Sequence, residues 1–262
     1  MSDTYARVMK PGDGPGNRRT AGPGAARPSG AVSGPEAGGA PQGAAGPPAR
    51  STDSPAEATF AAAVEAFKQG RNGEVHPDLS FEDVPAPKRL APYATAMAAA
   101  VQRDGADVAW GRLVLLYDPD GQEGWDGVFR LVAYIRAEVE PEIAADPLLG
   151  EVGWSWLSEA LDQHVPGYAA SSGTVTRVIT EGFGTKRDED PLTGFELRAS
   201  WSPTPPGGPR SRTGRKRSSQ KAAADLDVLD LPAHIAAWCD CLSAAAGLEP
   251  PGTRALRPPG RG

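Results

Sequence analysis

Cysteine is nearly missing from this chain: Cys239 and Cys241 are the only two in 262 residues. A disulfide framework is therefore excluded as a source of stability, and a cytoplasmic setting is expected. Histidine is almost as scarce, with only His76, His164 and His234. Zinc sites want cysteines two to four residues apart with further ligands, and no histidine lies at a matching spacing. On a helix, Cys239 and Cys241 would stand about 200° apart and could not chelate together. No apolar run approaches the roughly 18 residues of a membrane span, so no membrane association is expected. The N-terminus has no apolar h-region of a signal peptide. Residues 150–153 and 181–184 hold paired glycines but lack the strand–turn–helix setting of a nucleotide loop. No cofactor and no metal are expected.

What the chain has in excess is glycine and proline, and they are concentrated. The first fifty residues hold eleven Gly and eight Pro, and after Met9 the one larger apolar residue is Val32. Such a segment buries too little surface to offset an ordering cost of about 1–2 kcal/mol per residue. Residues 1–53 are expected to be a disordered tail, and residues 251–262 a second one. Between them, residues 54–250 are expected to form a single domain, interrupted by a disordered basic insertion at about 203–224. Arginine outnumbers lysine 21 to 6, a bias that fits a GC-rich genome. The net charge of −6 suits a soluble protein and selects no partner by itself.

Within the domain, Ser54-Pro55-Ala56-Glu57 is a capping box with proline at the first helical position. Phe60, Val64 and Phe67 follow at helical spacing, and Gly70 is a natural stop, which predicts a helix over 55–69. Four prolines between 74 and 92 exclude a helix there, and Leu79–Val84 suggests an edge strand. Residues 93–101 suit helix by their alanines and strand by their alternation; the strand is preferred because β structure follows. Residues 112–117 form a short apolar run ended by Asp118-Pro119-Asp120-Gly121, a turn sequence. Residues 128–140 alternate cleanly, with Phe129, Leu131, Ala133, Ile135 and Ala137 on one face. Asp146-Pro147 should open a second helix, with Leu149, Val152, Gly153, Trp156, Leu157, Ala160 and Leu161 as its stripe. Residues 173–181 and 195–201 read as two more strands. Residues 231–246 read as a third helix, closed by Gly247. The expected fold is α+β, a mainly antiparallel sheet of about five strands with three helices, in the order α-β-β-β-α-β-β-α.

Candidate chemistry is sparse. Glu138, Glu140 and Glu142 could bring carboxylates together for acid/base work or a cation. Arg136 shares their face and Arg177 and Arg198 lie on other strands, so a solvated cross-strand charge ladder explains the same residues more simply. The basic block Arg210, Arg212, Arg215, Lys216, Arg217 and Lys221 could hold a phosphate backbone non-specifically. It has no interleaved aromatic, which disfavours nucleic acid. No nucleophile elbow accompanies the histidines. Trp154 lies about 200° from Trp156, off the helical stripe. Either the chain's own loops cover it, or it anchors a contact. Tyr134, on the outer strand face, is the second interaction candidate.

Several phrases occur together: RLAPYATA (89–96), GRLVLLYDPDG (111–121), WDGVFRLVAYIRAE (125–138), DPLLGEVGWSWLSEAL (146–161), SGTVTR (172–177), LRASW (197–201) and AAWCDCLSAAAGL (236–248). In them the chain resembles an uncharacterised actinobacterial family of unknown function, over about residues 56–250. The N-terminal tail and the basic insertion depart from the family pattern. That family has no assigned activity, so the resemblance implies no catalytic residue and no ligand. The functional expectation is a cytoplasmic, non-enzymatic interaction or ligand-binding domain whose partner is a protein or a small ligand. The alternatives are an enzyme built on the carboxylate cluster with Arg136, and weak nucleic-acid association through the basic block.

Overall fold

Ser54 closes the N-terminus of the first helix as its sequence dictates. Its hydroxyl accepts from the Glu57 amide at 3.2 Å, and the Glu57 carboxylate accepts from the Ser54 amide at 2.9 Å. This helix, α1 (Pro55–Gln69), opens a computed structural model in which residues 54–73, 75–103, 105–188, 191–206 and 226–248 are described. The expected tails, residues 207–224 of the basic insertion and all six of its named cations lie outside the described residues.

Six strands follow in one sheet: β1 (Leu79–Asp83), β2 (Tyr93–Arg103), β3 (Ala106–Tyr117), β4 (Phe129–Glu138), β5 (Tyr168–Thr180) and β6 (Leu192–Pro203). Their order is β1-β2-β3-β4-β6-β5, antiparallel throughout. Between β4 and β5 lie a short helix, α2 (Pro141–Ala145), and a long one, α3 (Leu149–His164); α4 (Leu231–Ala245) closes the domain. The α+β class and the antiparallel sheet are as expected. The sheet has six strands rather than five because the Pro-rich approach still leaves five residues free to pair with β2. Residues 93–101 are strand: alanine's helix propensity yields to pairing with β1 and β3 on both sides.

Helices cover one face of the sheet. Leu113, Leu115, Leu131, Ile135, Phe195, Leu197 and Trp201 meet Phe67 of α1, Leu157 and Leu161 of α3, and Ile235, Trp238 and Leu242 of α4 in one core. Gly111 makes room for Trp238: a Cβ there would sit 2.9 Å from the indole. Among the described residues the other face carries no helix. Loop residues Val84, Leu90 and Trp125 cover its centre, Val114, Leu116 and Val132. The partly apolar outer face expected from Val132 and Tyr134 is thus closed by the chain's own loops.

One helix start differs from expectation, while α1 ends at Gln69 with Gly70 as its cap, as expected. Asp146 does not cap α3. It ends α2, and its carboxylate accepts from the Leu148 amide at 2.8 Å, one turn before α3 begins. Gly70 does not end α1 through a left-handed turn, for its φ is −57° and a 3₁₀ turn continues the chain. Glycine is required there by packing: an added Cβ would meet Ile235 Cδ1 at 2.6 Å. At α4 the expected stop holds, with Gly247 at φ +67° and the Leu248 amide donating back to the Ser243 carbonyl.

Candidate interaction surface

The two edges of the sheet are built differently. β1 is five residues long and carries Glu82 and Asp83, with Asp83 paired to Arg71 at 3.1 Å. A short, charged edge resists pairing with another strand. β5 is 13 residues long, YAASSGTVTRVIT, with no proline, lysine or acid. Its one irregularity is near its start, where the pairing with β6 shifts between Ala169 and Ser172 and Ala170 takes φ 52°. From Ser172 to Thr180 it pairs regularly with β6 on one side only. The chain arrives at this outer position after α2 and α3, then returns through β6 into the gap beside β4. Alternate backbone groups of β5 therefore point away from the sheet.

Several exposed apolar side chains lie near this edge. Among the described residues, seven large apolar side chains stand exposed: Ile143, Leu148, Val152, Ile179, Phe183, Leu192 and Val228. Ile179 belongs to β5, Phe183 to the link between β5 and β6, and Leu192 is the first residue of β6. Ile143, Leu148 and Val152 come from α2 and the start of α3, which pack on β5. Phe183 is 80 % exposed and Leu192 69 %. The one charge on β5 is already engaged, since Arg177 donates to the Asp146 carbonyl at 2.9 Å and also reaches the Ala145 carbonyl. Arg177 therefore faces the helices, not the outer charge ladder.

Sequence reading singled out other residues, and the structure places them apart. Trp154 is half-buried in the main core, against β5; a Cβ on Gly173 would lie 2.6 Å from its ring. A strand of the same chain covers it. Tyr134 is 7 % exposed, under Trp110 at 5.0 Å and the Arg198 guanidinium at 5.4 Å. Burial, then the neighbouring Glu196, pushes its hydroxyl up to about 12, so it stays protonated. Arg198 pairs with Glu196 at 3.3 Å, and Glu196 lies opposite Arg136 in the register. Glu138, Glu140 and Glu142 are exposed, on the end of β4, the cap of α2 and its first turn. Among the described residues no three acids, histidines or cysteines gather for a metal.

Cys239 and Cys241 are free, buried thiols pushed well above their ordinary range by desolvation. Both are inaccessible because α4 is buried nearly all round, not along one stripe. His234 is wholly buried, and its Nδ1 accepts the Trp201 indole N–H at 3.0 Å. Burial lowers it to about 3, outweighing the Leu229 backbone. His76 accepts locally from the Asp78 amide, whereas His164 bridges to Asp240 at 2.6 Å. No sequence signal singled out Asp240, because its partner lies 76 residues away.

A family model described as "Protein of unknown function (DUF3000)" matches residues 56–254. The chain belongs to this family. The DUF3000 match covers all six strands and, apart from Pro55, every described helix, so β5 and its apolar flank fall inside it. No curated protein and no solved structure matches the chain. No described helix is long and apolar enough to cross a membrane.

Proposed function

We propose that this DUF3000 domain is a cytoplasmic protein-interaction module that takes an extended segment of a partner protein onto the edge of β5. One observation carries the proposal: β5 is the outermost strand of the sheet, with no second strand beside its regular segment from Gly173 to Thr180 among the described residues and with exposed apolar side chains at its flank. Unpaired N–H and C=O groups in a row select a strand rather than a helix as the occupant. β-branched side chains and the absence of free charge select an uncharged, β-prone segment. Large exposed apolar patches mark contact sites in soluble proteins. The carboxylate alternative has less support, because its three acids are solvated and share no cavity.

The test pairs the native chain with Thr176→Lys and Ile179→Lys, both at exposed positions of β5. A partner isolated with the native chain should bind each variant at least about tenfold more weakly, with far-UV circular dichroism unchanged. In the complex, amides of residues 172–180 should gain protection from hydrogen exchange. Protection mapped elsewhere, with both variants binding normally, would overturn the proposal.

A further inference from the structure

A second surface, independent of β5, lies where α3 and α4 run together. A groove of about 820 Å³ opens between them. Trp156, Glu159 and His164 of α3 line it, with Asp240 and Ser243 of α4 opposite. Its floor is set low by Ala160, Ala236 and Ala244. His164 Nε2 meets the Asp240 carboxylate at 2.6 Å across the groove. A carboxylate only accepts, so Nε2 carries the proton of that bond. Ser243 is 5 % exposed and its hydroxyl has no hydrogen-bond partner among the described residues. A buried hydroxyl without a partner is costly and points to a missing group. Because Ser243 makes no bond to His164, the three residues form no Ser–His–Asp relay.

We infer that this groove binds an organic cation, an ammonium or guanidinium on a short apolar body. Four features select positive charge. Glu159 and Asp240 supply two carboxylates, and among the described residues no lysine or arginine lines the groove. Glu159 and His164 come from the C-terminal half of α3, and Asp240, Ser243 and Ala244 from that of α4, toward the ends where helix dipoles are negative. The end of α4 already attracts one cation, Arg103, whose guanidinium donates to the Ala246 carbonyl at 3.3 Å. Trp156 offers an aromatic face, on which cations are favoured. The alanine floor and Leu248 suit an apolar body, while Ser243 has an acceptor to offer the cation's N–H groups.

The experiment titrates the full chain with phenethylammonium, and with 2-phenylethanol and 3-phenylpropionate as neutral and anionic counterparts. Binding is followed by amide chemical shifts. The cation should saturate, bind at least about tenfold more tightly than the alcohol, and shift residues 156–164 and 236–248. The anion should not bind. Asp240→Asn should weaken the cation about tenfold or more, and Glu159→Gln by a smaller factor. Glu159 is exposed, so its variant keeps the test valid if Asp240→Asn fails to fold. Equal affinity for cation and alcohol, shifts mapped outside the two helices, or insensitivity of cation binding to both substitutions would each overturn the inference.

Discussion

His234 shows what burial does to a single residue. Its imidazole accepts from Trp201 and stays neutral down to about pH 3, against an ordinary value of 6.5. The unfolded chain takes up a proton there below pH 6.5, and the folded chain refuses it until about pH 3. The unfolded state binds more protons across that window, so stability falls as pH is lowered through it and is untouched above it. The limiting slope is about 1.4 kcal/mol per pH unit. His234→Gln keeps an acceptor for the indole and removes the titration. Urea melts at pH 7 and pH 4.5 should show a smaller stability difference in the variant, since the carboxylates act equally in both. An equal difference would place His234 in contact with water. Trp238, packed over Gly111, was legible as a core residue from its stripe. Trp238→Ala should cost about 3–5 kcal/mol in the same melts. The role of Gly111 was not legible, because the indole above it belongs to a helix 127 residues further along.

At the scale of elements, alternation made β4 and β6 readable: Phe129 to Ala137 and Phe195 to Trp201 face the helices as their period requires. The same arithmetic put Trp154 off the α3 stripe, yet the residue packs against the main core, and helical period could not say what covers it. Gly173 of β5 does, and only pairing with β6 brings it there. Gly173→Val should therefore drive a side chain into both the Trp154 ring and the Arg198 carbonyl, lowering stability by about 1–3 kcal/mol. Thr176→Lys on the same strand points into solvent and should change the melt by no more than about 0.5 kcal/mol. If the two variants melt alike, β5 is not docked on α3 as described. The start of α3 was misread because Asp-Pro is a strong opening signal, and the short α2 captured the aspartate as its end.

For the whole molecule, one core joins the helix-covered face of the sheet to α1, α3 and α4, while a small second cluster lies under the loops. Unfolding should then be a single cooperative event. Denaturant transitions followed by tryptophan fluorescence and by far-UV circular dichroism should coincide. A separate transition in fluorescence alone would show that Trp110 and Trp125, on the loop-covered face, melt independently. The sequence by itself determined the class, the capping of α1, the faces of β4 and β6 and the end of α4, because each depends on neighbours within a few residues and on a period of 2 or 3.6. Only the tertiary structure decided which strand is left at an edge, that Arg177 turns to the helices, that Tyr134 is covered, and that His164 meets Asp240. Those outcomes depend on strand order and helix docking, which join residues far apart in the chain, and local periodicity carries no information about them.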